Sequence, residues 1–109
     1  MGVVINRFEI YLVSLDPTVG SEIRKTRPAI VISPDEMNHH INTVIVAPMT
    51  THGKLYPTRI PIVFGGKEGK VVLDQLRTVD KRRLIKKIGE LDEAKAQEIV
   101  SVLQEMFAY

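Results

Sequence analysis

Short runs of β-branched residues, each stopped by proline, glycine or aspartate, fill roughly the first four-fifths of the chain, which points to a sheet of short strands. Phe8–Leu15 alternates Phe8, Ile10 and Leu12 with a second face of Glu9, Tyr11 and Val13. Asp16-Pro17 then breaks it, because proline has no N–H to give a central ladder. Ala29–Ser33 and Thr43–Met49 are nearly continuous apolar runs, as expected of strands covered on both faces, although Pro48 must sit at an edge or bulge. Arg59–Phe64 and Val71–Thr78 read as two further strands, separated by a turn cluster of Gly65, Gly66 and Gly69. Ile85–Ile88 reads as a short last one.

The period then changes. Asp92 suits a helix N-cap with Glu93 in the first turn, and Ile99, Val102, Leu103 and Met106 follow at helical spacing. Pro34–His40 has room only for a helical turn or two. The expectation is a mainly β fold with α: a small, strongly bent sheet or barrel of about five or six short strands with a covering C-terminal helix. At 109 residues, residues 1–109 form one domain with one core. Hydrophobic residues make up 44% and charged ones 26%, ordinary for a soluble globular chain. No apolar run approaches the roughly 20 residues a bilayer requires, and Met1–Arg7 lacks the pattern of a signal peptide. Cysteine is absent, which removes disulfides, thiolate metal sites and cysteine nucleophiles and fits a cytoplasmic setting.

A net charge of +2 conceals an uneven distribution. Lys67–Gly89 holds eight Lys/Arg against three acids, whereas Glu90–Tyr109 holds one Lys against five acids. The basic block of Lys81, Arg82, Arg83, Lys86 and Lys87 suits a polyanion or acidic partner, and suits a solvated charged turn equally well.

Two connections are longer than a compact sheet needs, and such loops often carry function. Asp16–Thr26 holds Ser21, Glu22, Arg24 and Lys25; Thr51–Pro57 holds His52, Lys54 and Tyr56. The histidines His39, His40 and His52 show no metal-ligand spacing, and phosphate-loop, dinucleotide and serine-esterase motifs are all missing, so neither a metal nor a cofactor is expected. What stands out is Thr26-Arg27-Pro28 entering one apolar strand and Met49-Thr50 leaving another. A planar guanidinium held at a strand mouth suits a phosphate, and a threonine hydroxyl nearby donates to another phosphate oxygen. The same pattern also fits an arginine spent on an internal ion pair and a threonine that merely ends a strand.

The segment from Glu9 to Glu22 (EIYLVSLDPTVGSE) closely resembles the opening of the MazF, PemK and Kid toxins. Thr26–Pro34, Val46–Thr51, Tyr56-Pro57 and Asp74–Leu84 continue that resemblance in order and spacing, from about Arg7 to Leu103. The resemblance implies an SH3-like barrel related to the gyrase poison CcdB, usually a homodimer, that cleaves single-stranded RNA and is blocked by an acidic antitoxin tail. It implies that Arg27 is the principal catalytic residue and Thr50 its phosphate-contacting partner. It places Glu22 and Gln75 along the RNA groove, and Asp74 where one branch has a proposed general base. Ser21, Arg24, Lys25, Thr51, Lys54 and Arg77 are further candidates for RNA contact.

The chain also departs from these relatives. Many carry glycine where Phe8 stands, and some where Lys25 stands; one branch has histidine at Ser21 and arginine at Val72. Roles built on that histidine and arginine do not transfer. RNA carries its own nucleophile, the 2′-OH, so cleavage needs a base, a preorganised cation for the phosphate and no metal. Arg27 is the expected cation and Thr50 a second contact, with Glu22 or Asp74 as the base, since guanidinium does not deprotonate. The alternatives are a CcdB-like gyrase poison and a barrel that binds RNA without cutting it.

Overall fold

The computed structural model describes residues 4–109, so part of the Met1–Arg7 stretch read for a signal peptide lies outside the described residues. Its seven strands are β1 (Glu9–Ser14), β2 (Thr26–Val31), β3 (Thr43–Thr50), β4 (Arg59–Phe64), β5 (Lys67–Val72), β6 (Arg77–Asp80) and β7 (Leu84–Glu90). Helix α1 (Asp35–Asn38) is a single turn, and α2 (Glu93–Met106) closes the chain. Every pairing is antiparallel, in the order β4-β5-β3-β2-β1-β7, with β6 pairing β3 off that path.

The mainly β architecture with a C-terminal helix is as expected; the strand count and the closure differ. The segment expected as one strand, Val71–Thr78, is broken by a 3-10 turn at Leu73–Gln75, so β5 and β6 are separate. They lie successively along the same edge of β3: β6 pairs Thr43–Val46 and β5 pairs Met49–Thr50. Pro48 falls in the gap between them, where that edge has no partner to miss its N–H. Gly69 lies within β5 and not in the turn; a Cβ there would meet the Thr50 carbonyl oxygen at 2.9 Å. Its missing side chain lets β5 lie close against the end of β3.

The sheet bends but does not close into a barrel. Its ends approach through side chains, with the Phe64 ring of β4 so near Gly89 of β7 that a Cβ there would lie 2.9 Å from it. Pro61 cannot donate from β4, and Lys95 Nζ of α2 donates to its carbonyl at 3.0 Å, so both backbone groups at this point of the edge are closed to another strand.

The near-continuous apolar strands are buried on both faces, as their composition predicts. Ile10, Ile30, Ala47 and Met49 face a core completed by Ile60, Ile62, Val71, Leu73 and Ile99. The alternating Tyr11, Val13, Ala29, Val31, Val44 and Val46 face a second one with Ile5, Leu15 and Val79, so the sheet divides the interior, expected as one core, into two clusters. Asp92 caps α2 by accepting the Lys95 N–H at 2.8 Å. Ile99 is fully buried, while Val102, Leu103 and Met106 pack on the core and stay partly exposed. Among the described residues no helix is long and apolar enough to cross a membrane.

Candidate active site

The register of β2 against β3 pairs Ala29 with Pro48. Carried two residues further, it sets Arg27 opposite Thr50. Both side chains line one hollow of about 350 Å³, with Thr51, Pro28 and Met49 in its wall. A second hollow of about 500 Å³ is lined by Ser21, Glu22, Asp74, Gln75 and Arg77, with Pro48 in its wall. Since Pro48 is two residues from Thr50 on β3, one strand contributes to both.

Arg27 Nε donates to the Arg24 carbonyl at 3.2 Å, which aims the guanidinium. Among the described residues its terminal nitrogens have no hydrogen-bond partner, and none of the ion pairs includes it. The internal ion pair that the sequence left open is therefore not formed there. Thr50 Oγ1 accepts the His52 N–H at 3.1 Å, leaving its own proton free for an incoming oxygen.

The two carboxylates differ. Glu22 is exposed and accepts the Val19 N–H at 2.7 Å. Asp74 is held at two points by Arg59, Nε and Nη2 each at 3.1 Å, and accepts the Thr58 hydroxyl at 3.0 Å. Arg59 above all, and Thr58 beside it, hold this carboxyl below the usual carboxylate range against the opposing effect of burial. A carboxylate so stabilised is a weak proton acceptor, so Asp74 is better suited to fixing Arg59 than to acting as a base.

Several expected RNA contacts have structural duties. Gln75 uses both ends of its amide on the loop before β2, accepting the Ile23 N–H at 2.7 Å and donating to the Ser21 carbonyl at 3.2 Å. Arg77 Nη1 donates to the Leu15 carbonyl at 2.8 Å. Arg24, Lys25 and Lys54 are exposed and line neither hollow. The basic block is largely consumed internally: Lys81 bonds the Asn38 carbonyl, Arg82 pairs with Asp80, Arg83 bonds the Ser14 and Asp16 carbonyls, and Lys87 pairs with Glu9. Among the described residues, no group of three His, Cys, Asp or Glu is placed to hold a metal ion.

Arg59 is the residue that sequence reasoning missed. The Gly65-Gly66 turn fixes the hairpin register, Phe64 with Lys67 and hence Arg59 with Val72, two residues from Asp74. That turn was the available signal.

The family model for PemK-like, MazF-like toxins of type II toxin–antitoxin systems matches residues 6–107. The chain belongs to this toxin family. Among solved structures it is similar to a MazF from Deinococcus radiodurans, at 25% identity over 96% of this chain and 97% of that one, with a TM-score of 0.84. A MazE–MazF structure from the same organism matches at 25% identity, 96% of each chain and a TM-score of 0.79. An endoribonuclease in complex with its cognate antitoxin, from a mycobacterial species, shares the fold at 21% identity, 96% of this chain and 98% of that one, with a TM-score of 0.80. Within the MazF-like family, then, this chain has an uncommitted arginine facing a threonine across two strands.

Proposed function

We propose that this MazF-like toxin is an endoribonuclease that cuts single-stranded RNA through the substrate's own 2′-OH, without a metal. The observation that carries this reading is Arg27 and Thr50 in one hollow, with the arginine's terminal nitrogens and the threonine's proton uncommitted. In the reaction, Glu22 takes the 2′-OH proton and O2′ attacks phosphorus. The bond from phosphorus to O5′ breaks, and that oxygen takes a proton from solvent. The products are a 2′,3′-cyclic phosphate and a 5′-hydroxyl. Arg27 binds two phosphate oxygens as charge accumulates on them, and Thr50 donates to one of these. Exposed Arg24, Lys25, Thr51 and Lys54 hold the flanking strand, as cations and hydroxyls do on phosphate backbones. Such a substrate implies action in the cytoplasm, in accord with the absence of cysteine.

An acidic MazE-like antitoxin segment inhibits by occupying the same surface, in keeping with the antitoxin complexes of structurally similar proteins. The test uses mixed-sequence RNA in EDTA to find the cut site, then an oligomer with one 2′-deoxy nucleotide there. The expected result is metal-free cleavage of the RNA and tight binding of an intact deoxy oligomer, from which antitoxin displaces the protein. Cleavage of the deoxy oligomer, loss of activity in EDTA, or antitoxin and RNA bound together would contradict the scheme.

A further inference from the structure

Tyr56, in the loop after β3, is 53% exposed, yet its ring is not loose. The Arg59 guanidinium covers the ring with its carbon 5.0 Å from the centroid. Arg59 N also donates to the Tyr56 carbonyl at 2.9 Å, closing the turn that carries the ring. The guanidinium is fixed in turn by its two-point bond to Asp74. Gly53 crosses it so closely that a Cβ there would lie 3.3 Å from Nη1. Asp74, at the far end of this brace, lines the hollow that also holds Ser21, Glu22 and Gln75. An aromatic ring is thus backed by a cation on one side and tied to the site, while much of its surface meets solvent. A braced, half-exposed ring tied through Arg59 and Asp74 to the hollow of Ser21, Glu22 and Gln75 suits one chemistry above others, the π-face of an unpaired base.

We propose that Tyr56 is a stacking platform for an unpaired nucleobase flanking the cut, with Arg59 and Asp74 as the residues that position it; this rests on the ribonuclease reading above. Every base has a π-face, so the platform selects for an unstacked, single-stranded base before it selects for a sequence. A contact away from the reacting phosphate contributes equally to ground and transition states, so it sets affinity and leaves the chemical step alone.

The test walks a single 2-aminopurine along the uncleavable 2′-deoxy oligomer. Wild type and Tyr56→Phe should quench its fluorescence at one position beside the cut. Tyr56→Leu keeps apolar cover over Arg59 but has no π-face. It should lose that quenching and bind roughly tenfold more weakly, within the range for one stacked base. At saturating enzyme it should cut the all-ribose RNA in single turnover at the wild-type rate, with a Tm lowered only by the few degrees that one exposed cation–π contact contributes. A Tyr56→Leu variant with wild-type quenching and affinity would overturn the stacking role and leave the ribonuclease reading standing. A wild-type protein that neither binds nor cuts RNA would overturn both.

Discussion

Two residues, Phe8 and Lys25, adopt φ of +70°, the left-handed region where a Cβ is crowded against the backbone. Both are positions at which the sequence departs from the glycine of the pattern it resembles, so those departures coincide with the chain's own backbone strain. Phe8 has some compensation, since the Arg7 guanidinium lies 4.8 Å from its ring centroid. Lys25 is exposed and has no comparable cover. Lys25→Gly should therefore raise stability by about 1 kcal/mol, roughly 4 °C in Tm, net of the entropy that glycine costs in the unfolded chain. It should also weaken RNA binding by removing a cation. A fall in Tm would show that the lysine side chain contributes more than its backbone costs. Such strain is invisible in a single sequence, because nothing in Arg24-Lys25-Thr26 reports a backbone dihedral. Arg27 and Thr50 were legible because strand mouths fix where their side chains stand. The freedom of Arg27 from an ion pair was not, since that depends on where Glu22 and Asp74 turn.

Among the elements, the strands read from β-branched runs were found where expected, and α2 begins at its expected cap. The break at Leu73–Gln75 was missed although Asp74 stands in it, because no glycine or proline accompanies that aspartate and Val71, Val72 and Leu76 flank it. The consequence of that break is functional. The 3-10 turn puts Asp74 where Arg59 of β4 reaches it and Gln75 where it holds the loop before β2. If Asp74 is a brace, its lowered native pKa stabilises the fold above the ordinary carboxylate pKa of about 3.9, and that stability is lost as pH falls through the lowered value. Below about pH 4, the wild-type Tm should therefore fall more steeply than that of Asp74→Asn, whose stability lacks this dependence. At neutral pH the variant should be less stable and still cut RNA at a substantial rate. An inactive variant of wild-type stability would instead return Asp74 to the role of base.

At the level of the whole molecule, the basic block of the sequence is partly tied down: Arg82 and Lys87 are paired with carboxylates, while Lys81 and Arg83 are fixed on backbone carbonyls and keep their charge. Sequence separation hid those partners: Arg83 reaches back to Ser14 and Asp16. The fold leaves Val102, Leu103 and Met106 of α2 partly covered, with Phe107 just beyond them exposed. We infer a homodimer that covers them, and light scattering at micromolar concentration should give twice the 12.3 kDa chain; a monomer mass would contradict it. The proposed activity rests on the intact fold presenting Arg27 as a shaped cation to RNA. Single-turnover cleavage by Arg27→Lys, with a melting curve on the same sample, tests this most directly, because lysine keeps the charge and loses the planar two-point fork. The prediction is an unchanged Tm, near-normal RNA binding and a cleavage rate lower by roughly 100-fold or more, the scale of removing one preorganised donor. A stable Arg27→Lys variant that cuts at near the wild-type rate would contradict it.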